Sequence, residues 1–241
     1  MSLFDKKSAL LLDLGGTLIE FEAEPWVELE RRSMRLAYGF LAERGFELPN
    51  PDTFADEFID FHTSKWPQIK EDNIEVSFDS ICDEFLIGRG IQLDGDIRLF
   101  TEVFYAPISK QLQPISGGKD LLAMAGENNL KIGLVSNSPF PGEWHRREME
   151  RFGLLNSFDC TIFSSEFGMR KPHASIFEEC LKQLEVEPGN AVHVGDRPLE
   201  DITGAQGAGI TGVLLRRPDR DLPGNIKPDF IVDSLKDILN L

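Results

Sequence analysis

Ala9 to Leu12, with Leu14 following Asp13, form an apolar run too short for a helix and without alternation, which predicts a strand buried on both faces. From Trp26 the spacing becomes that of amphipathic helices. Val27, Met34, Tyr38 and Leu41 predict a helix over residues 26–44 stopped by Gly45, and Phe54, Phe58 and Phe61 predict a second behind Asn50-Pro51. Phe78, Ile81, Cys82, Phe85 and Leu86 before Gly88 predict a third, and Ile97, Phe100, Val103 and Phe104 before Pro107 a fourth. A polar loop holding Lys65 and Lys70 is expected between the second and third, and the acidic stretch 19–25 reads as a connection.

From Pro114 the rhythm changes to apolar strands alternating with single helices. Strands are predicted at 131–136, 159–163, 191–195 and 211–215, with helices near 118–127, 143–152, 175–184 and 199–208. A last short strand at 229–232 and a terminal helix at 234–239 complete the pattern. The fold class is α/β, a Rossmann-like parallel sheet core interrupted after its first strand by an all-α insertion. The core is expected at 1–19 and 112–241, and the helical domain at 20–111.

Composition narrows the function. The 241 residues are 41% hydrophobic with 18 Phe, enough for a packed core. Against 41 Asp and Glu there are 25 Lys and Arg, and a net charge of -16 opposes attraction to nucleic-acid phosphates or anionic lipid, so neither nucleic acid nor membrane is an expected partner. Cys82, Cys160 and Cys180 are odd in number, far apart and set among apolar neighbours, which suits reduced core thiols and a cytoplasmic location. No apolar run approaches membrane-spanning length, and the acidic Asp5 argues against a signal peptide.

In an open parallel sheet, ligands gather beyond the carboxyl ends of the strands, so the polar residues there are the candidates for chemistry. The first predicted strand ends in Asp13 before Gly15-Gly16, the second in Ser136-Asn137, and the fourth in Gly195-Asp196 with Asp201 beyond; Arg170-Lys171-Pro172 follows the third. Any one of these has an ordinary explanation, since an Asp after a strand is often a turn residue bonded to its own backbone. Together, two carboxylates, a hydroxyl and an ammonium make a place where a divalent cation and a phosphate can share charge.

These residues resemble the motifs of the haloacid dehalogenase superfamily of hydrolases, with a helical cap inserted after the first strand. Asp13-Leu-Gly-Gly-Thr17 resembles the first motif, Ser136 the second, Lys171-Pro172 the third, and Gly195-Asp196 with Asp201 the fourth; the run from Gly195 to Gly209 is the most specific piece. The resemblance implies a phosphatase acting on a small phosphorylated metabolite, with Asp13 as nucleophile forming an aspartyl-phosphate. It implies Mg²⁺ held by Asp13, Asp196 and the main-chain carbonyl of Gly15. Ser136, Thr17, Asn137 and Lys171 are then expected to meet the phosphoryl group, with Lys171 neutralising charge and Asp201 in a supporting role.

One position departs from the pattern. Phosphatases of the superfamily usually carry a second Asp two residues after the nucleophile, as general acid and base, and here that residue is Gly15. Metal-independent dehalogenases also lack that Asp, but they generally have Tyr there and an uncharged arrangement where this chain has Asp196. Phosphonate-cleaving relatives have a small residue there and an imine-forming cap lysine, for which Lys65 and Lys70 are the candidates; both are equally read as solvated surface lysines. A protein that binds without turnover is the remaining alternative. Of the histidines, His193 reads as core, His145 as solvent-facing and His173 as a helix start. His62 is placed near the end of the second helix, either interacting with the helix dipole or available to a closing cap. Arg31, Arg32 and Arg35 read as a solvated face beside Glu28 and Glu30.

Overall fold

The computed structural model describes residues 3–4, 6–21, 24–218 and 220–241. Its strands are β1 (Ala9–Leu12), β2 (Ile19–Glu20), β3 (Gln113–Pro114), β4 (Lys131–Ser136), β5 (Cys160–Phe163), β6 (Ala191–Gly195), β7 (Thr211–Leu215) and β8 (Phe230–Val232). Its helices are α1 (Trp26–Glu43), α2 (Pro51–Asp72), α3 (Phe78–Ile87), α4 (Ile97–Gln111), α5 (Gly118–Glu127), α6 (Gly142–Arg151), α7 (Ser164–Phe167), α8 (Ala174–Leu184) and α9 (Gly204–Gly207). The chain divides into two compact units, Met1–Glu20 with Gln113–Leu241, and Phe21–Leu112.

The first unit is built on a six-stranded parallel sheet in the order β5-β4-β1-β6-β7-β8. Ala9, Leu10, Leu11 and Leu12 are all fully buried, as an apolar run with no alternation requires of a central parallel strand. Leu12 pairs with Leu134 of β4 on one side and Val194 of β6 on the other. Chain order therefore reverses at β1, and the crevice beyond its carboxyl end is the topological switch point where ligands bind in such sheets. α8 covers one face, with Ile176, Phe177, Cys180 and Leu181 in a cluster with Leu11, Val135 and Ile162.

β2 and β3 form a separate antiparallel pair, with Ile19 opposite Pro114 and Glu20 opposite Gln113, so the chain leaves this unit and returns to it side by side. Two-residue strands leave no period in the sequence and were not predicted. The expected helix at 199–208 is a π-helical turn over Pro198–Thr203 followed by the short α9. At the C-terminus the expected helix shrinks to a 3₁₀ turn, Asp237–Asn240, with Ser234 donating to the Asp237 carboxylate. The expected connection at 19–25 includes Glu22 and Ala23, which lie outside the described residues. Cys160 and Cys180, distant in sequence, are free thiols with their sulfurs 3.2 Å apart between β5 and α8.

The second unit is all helix apart from its connections: α1 packs on α2 and α4, and Phe54, Phe58, Phe78, Phe85, Phe100 and Phe104 fill its interior. Lys65 and Lys70 are not in a loop. α2 runs on to Asp72 through Pro67, because Gln68, Lys70 and Glu71 are helix formers that need no apolar period, and the stop is Asn73 in the left-handed region at φ 53°. His62 consequently lies well inside α2, not near its end. It is buried with Nδ1 2.5 Å from Glu30, between Phe58, Trp66 and Phe78. Glu30 is thus buried and not on the solvated face, where Arg31, Arg32 and Arg35 pair with Asp56, Glu24 and Asp52. No helix among the described residues is long and apolar enough to cross a membrane.

Candidate active site

Asp13 is placed by the sheet itself. Its N–H donates to Val194 O at 3.0 Å, prolonging the β1–β6 ladder by one bond, and its side chain then lies at the carboxyl end of the sheet's central strand. The turn that follows is tight: the amides of Thr17, Leu18 and Ile19 all donate to Leu14 O, and that of Gly16 donates to Ile19 O. Gly16 has φ 79°, and a Cβ there would lie 2.5 Å from Asp196 Oδ2, so both conformation and space demand glycine.

Lys171 joins two carboxylates. Its Nζ donates to Asp13 Oδ1 at 2.7 Å, to Asp201 Oδ1 at 2.6 Å and to Val135 O at 2.9 Å, using all three ammonium hydrogens in a buried setting. Its main chain is clamped by Asn137, which accepts from Lys171 N at 2.7 Å and donates to Lys171 O at 2.9 Å. The Asn137 amide, expected among the substrate contacts, is engaged at both ends in holding Lys171.

Asp201 accepts at both oxygens. Lys171 and His193 Nε2, the latter at 3.0 Å, share Oδ1, and Arg197 N donates to Oδ2 at 2.9 Å. The turn reaches this close because residue 195 is glycine: a Cβ there would lie 2.1 Å from Asp201 Cγ. Asp196 is fully buried too, but less well supplied. Oδ2 accepts from Arg220 Nε at 3.1 Å, while Oδ1 has no partner among the described residues.

The charges follow from these contacts. Burial pushes the Asp196 carboxyl up to about 7, reinforced by Asp13 and Asp201 and opposed by Arg197 and Arg220. Burial raises Asp13 as well, against the pull of Lys171. Asp201 is held well below the ordinary carboxylate range, since Lys171 and His193 outweigh the cost of its burial. Lys171 is raised, because Asp13 and Asp201 together outweigh a burial effect that is individually larger than either. Asp13, Asp196 and Asp201 each offer an oxygen, and these lie within 4.8 Å of one another. Three clustered buried carboxylates, two of them sharing the Lys171 ammonium and the third, Asp196, with an oxygen unpartnered among the described residues, make a donor set of hard oxygens that suits a divalent cation.

Ser136 ends β4 and Thr17 sits in the turn after Asp13, both buried; Thr17 Oγ1 has no partner among the described residues. Gly15 lies in the same turn, bridged to Ile19. The loop beyond Ser136 is pinned by Ser138, whose Oγ lies 2.6 Å from His145 Nε2 and whose N–H donates to Ser164 Oγ. His145 is therefore not solvent-facing. It is buried against Phe163, and burial, with Arg146 nearby, lowers it to about 3. His173 caps α8, accepting from Ser175 N. His193, Arg220 and the Ser138–His145 pair were not foreseen as parts of the site. His193 alone left a signal, a titratable ring inside an apolar strand three residues before Asp196.

The chain is similar to known proteins in sequence and in fold. The chain is 34% identical over 134 residues to glyceraldehyde 3-phosphate phosphatase of Methanopyrus kandleri, covering 54% of this chain and 57% of that one. It is 33% identical over 141 residues to the pyrimidine 5'-nucleotidase YjjG of Escherichia coli, covering 58% and 61%. These matches span little more than half the length of those relatives. Two solved structures share the fold over nearly the whole chain. A HAD phosphatase from Thermococcus onnurineus has TM-score 0.67 and 23% identity, covering 97% of this chain and 96% of that one. A 2-haloacid dehalogenase from Pseudomonas syringae pv. Tomato DC3000 has 0.70 and 21%, covering 97% and 98%. A match to the haloacid dehalogenase-like hydrolase family covers residues 55–215, which hold Ser136, Lys171, Asp196 and Asp201 and begin after Asp13. With more than half its length in that match and the same sheet-and-insertion architecture, the chain belongs to the haloacid dehalogenase-like hydrolases.

Proposed function

We propose that the protein is a Mg²⁺-dependent phosphatase of a small phosphorylated metabolite, working through an aspartyl-phosphate on Asp13. The observation that carries this reading is the unequal use of two buried carboxylates: Asp13 has one oxygen fixed by Lys171, and Asp196 has an oxygen with no partner among the described residues. Asp13, Asp196 and the Gly15 carbonyl would hold the cation, which when bound offsets negative charge on the phosphate. Asp201, already saturated by Lys171, His193 and Arg197, is assigned to support.

In this reading Lys171, anchored at Oδ1, leaves Oδ2 of Asp13 to attack phosphorus, and the ester oxygen departs as the new acyl-phosphate bond forms. Ser136 and Thr17 donate to the phosphoryl oxygens, and Lys171 stays protonated and screens the charge accumulating on them. Water then releases phosphate and restores Asp13. Gly15 offers no side chain to protonate the leaving oxygen, so the proton comes from solvent or from the substrate. The helical unit Phe21–Leu112 is assigned the part of a cap that favours small substrates.

The curated relatives support phosphate-ester chemistry, since they are named as phosphatases and a nucleotidase. Asp196 argues against the metal-independent dehalogenase reading, because a buried carboxylate with one oxygen unpartnered among the described residues suits a cation there. The phosphonate reading has less support: Lys65 of α2 is paired with Glu84 of α3, and Lys70 lies in the last turn of α2. Free, buried thiols are compatible with a reducing cytoplasm.

The test is hydrolysis of an activated aryl phosphate with Mg²⁺, with EDTA, and by Asp13→Asn. Turnover is expected only with Mg²⁺, and the variant should fold while losing at least about 10³-fold in kcat. Undiminished turnover in EDTA removes the metal assignment, and near-parental turnover by the variant removes the nucleophile.

A further inference from the structure

His193 is the buried titratable group that the phosphoryl-transfer reading leaves without work. It pairs in register with Leu11 of β1 and Gly212 of β7 and has no exposed surface. Its strand neighbours at this depth are Val192 and Val194, and the edge of Phe177 packs on it with centroids 5.0 Å apart. An aliphatic residue would satisfy that environment. The imidazole instead leaves Nδ1 without a partner among the described residues, an expense that a packing role does not explain.

What the ring gains is one bond, from Nε2 to Asp201 Oδ1 at 3.0 Å. Asp201 is ionised and can only accept, so Nε2 carries the hydrogen, and burial keeps the ring neutral. The accepting oxygen is the one that Lys171 reaches at 2.6 Å, and the same ammonium reaches Asp13 at 2.7 Å. Two carboxylates thus divide one cation. Donation from His193 takes up part of the charge on Asp201 Oδ1 and fixes its direction, which limits how far Lys171 is drawn from Asp13.

We propose that His193 is a positioning residue, which through Asp201 holds the Lys171 ammonium against Asp13. This deepens the phosphatase reading and rests on it for the kinetic consequence, while the placement of Lys171 is independent of any reaction. The test compares His193→Asn, whose amide is too short to reach Asp201, with His193→Gln, whose amide nitrogen extends to the place of Nε2. The two are alike in polarity and differ in reach. His193→Asn is expected to lose about 10- to 100-fold in kcat with KM within about twofold, and His193→Gln to recover most of it. Crystal structures should show Lys171 Nζ beyond about 3.5 Å from Asp13 in the Asn variant and back in contact in the Gln variant.

Equal kcat in parent and Asn variant, or a Gln variant as slow as the Asn variant, overturns the proposal, as does a Lys171 that stays on Asp13 in both. Should His193→Asn not fold, His193→Gln decides alone: a parental Lys171 contact with a bond to Asp201 supports the role, and a parental contact without that bond overturns it. A parent with no phosphatase activity counts against the phosphatase reading, while the position of Lys171 still decides the role of His193.

Discussion

Arg220 donates from Nε to Oδ2 of Asp196 across 3.1 Å, while Oδ1 of that fully buried carboxylate has no partner among the described residues. The Arg220 side chain, 22% exposed, supplies positive charge that opposes, with Arg197, the rise that burial and two neighbouring aspartates impose on this carboxyl. A divalent cation held at Asp196, as proposed, would meet that charge as a repulsion. Arg220→Gln should therefore bind Mg²⁺ more tightly, by roughly 5-fold given the partial solvent screening of the arginine. Titration calorimetry measures this directly, and weaker binding by the variant would show that Arg220 aims the carboxylate and does not compete for it.

Protons compete at the same carboxylate. In the proposed site the cation needs Asp196 ionised, so with its carboxyl at about 7 the Mg²⁺ affinity should fall by up to about tenfold per pH unit below that value and level off above it. The sign for stability is the reverse. A carboxyl raised in the folded state from 3.8 contributes stability that is present below the unfolded value and lost as pH rises toward 7. Asp201, lowered in the folded state, contributes in the opposite sense: present above the ordinary carboxylate value and lost as pH falls through its folded one. The thermal shift produced by Mg²⁺ should therefore be larger at pH 8 than at pH 5.5, and a shift independent of pH would contradict the assignment of Asp196 to the cation.

Gly16→Ala tests how closely the turn and the Asp196 carboxylate are fitted. The new methyl group would lie 2.5 Å from Asp196 Oδ2 at a backbone φ of 79°, so strain and displacement add. A loss of about 1–3 kcal/mol in urea unfolding is expected, together with weaker Mg²⁺ binding. Parental values for both would mean that Asp196 yields freely.

The α/β alternation was legible because apolar strands and amphipathic helices each leave a period; Asp13, Ser136 and Asp196 stood out as polar residues ending such runs, and Lys171 as a cation in the segment after the third predicted strand. What stayed illegible depends on partners distant in sequence. Asn137 reads as a polar neighbour of Ser136 until its amide is found around the main chain of Lys171. His145 lies in a helix rich in charge and looked exposed, but Ser138 and Phe163 enclose it. Lys65 and Lys70 looked like loop residues because a solvated helical extension needs no hydrophobic stripe. Arg220 sits in the run Arg216-Arg-Pro-Asp-Arg220, where nothing local separates a site residue from solvated charge.

Gly15 is where the chain leaves the pattern of phosphatases in its family, and it offers the sharpest test of what limits turnover. Gly16 has positive φ and Gly15 is not among the positive-φ glycines, so backbone conformation does not reserve residue 15 for glycine. A carboxyl introduced there would be placed to protonate a leaving oxygen. General acid catalysis contributes about 10²- to 10⁴-fold where the leaving group needs a proton, and little where it departs readily as an anion. Gly15→Asp should accordingly accelerate alkyl phosphates far more than aryl phosphates, and the ratio of the two kcat/KM gains is the measurement. Thermal melting and Mg²⁺ titration of the same preparation separate chemistry from damage, since another carboxylate beside three buried ones also costs stability. If the variant melts like the parent, binds Mg²⁺ equally and gains no more on alkyl than on aryl esters, leaving-group protonation is not the missing step, and the natural substrate is one that brings its own proton or an intrinsically good leaving group.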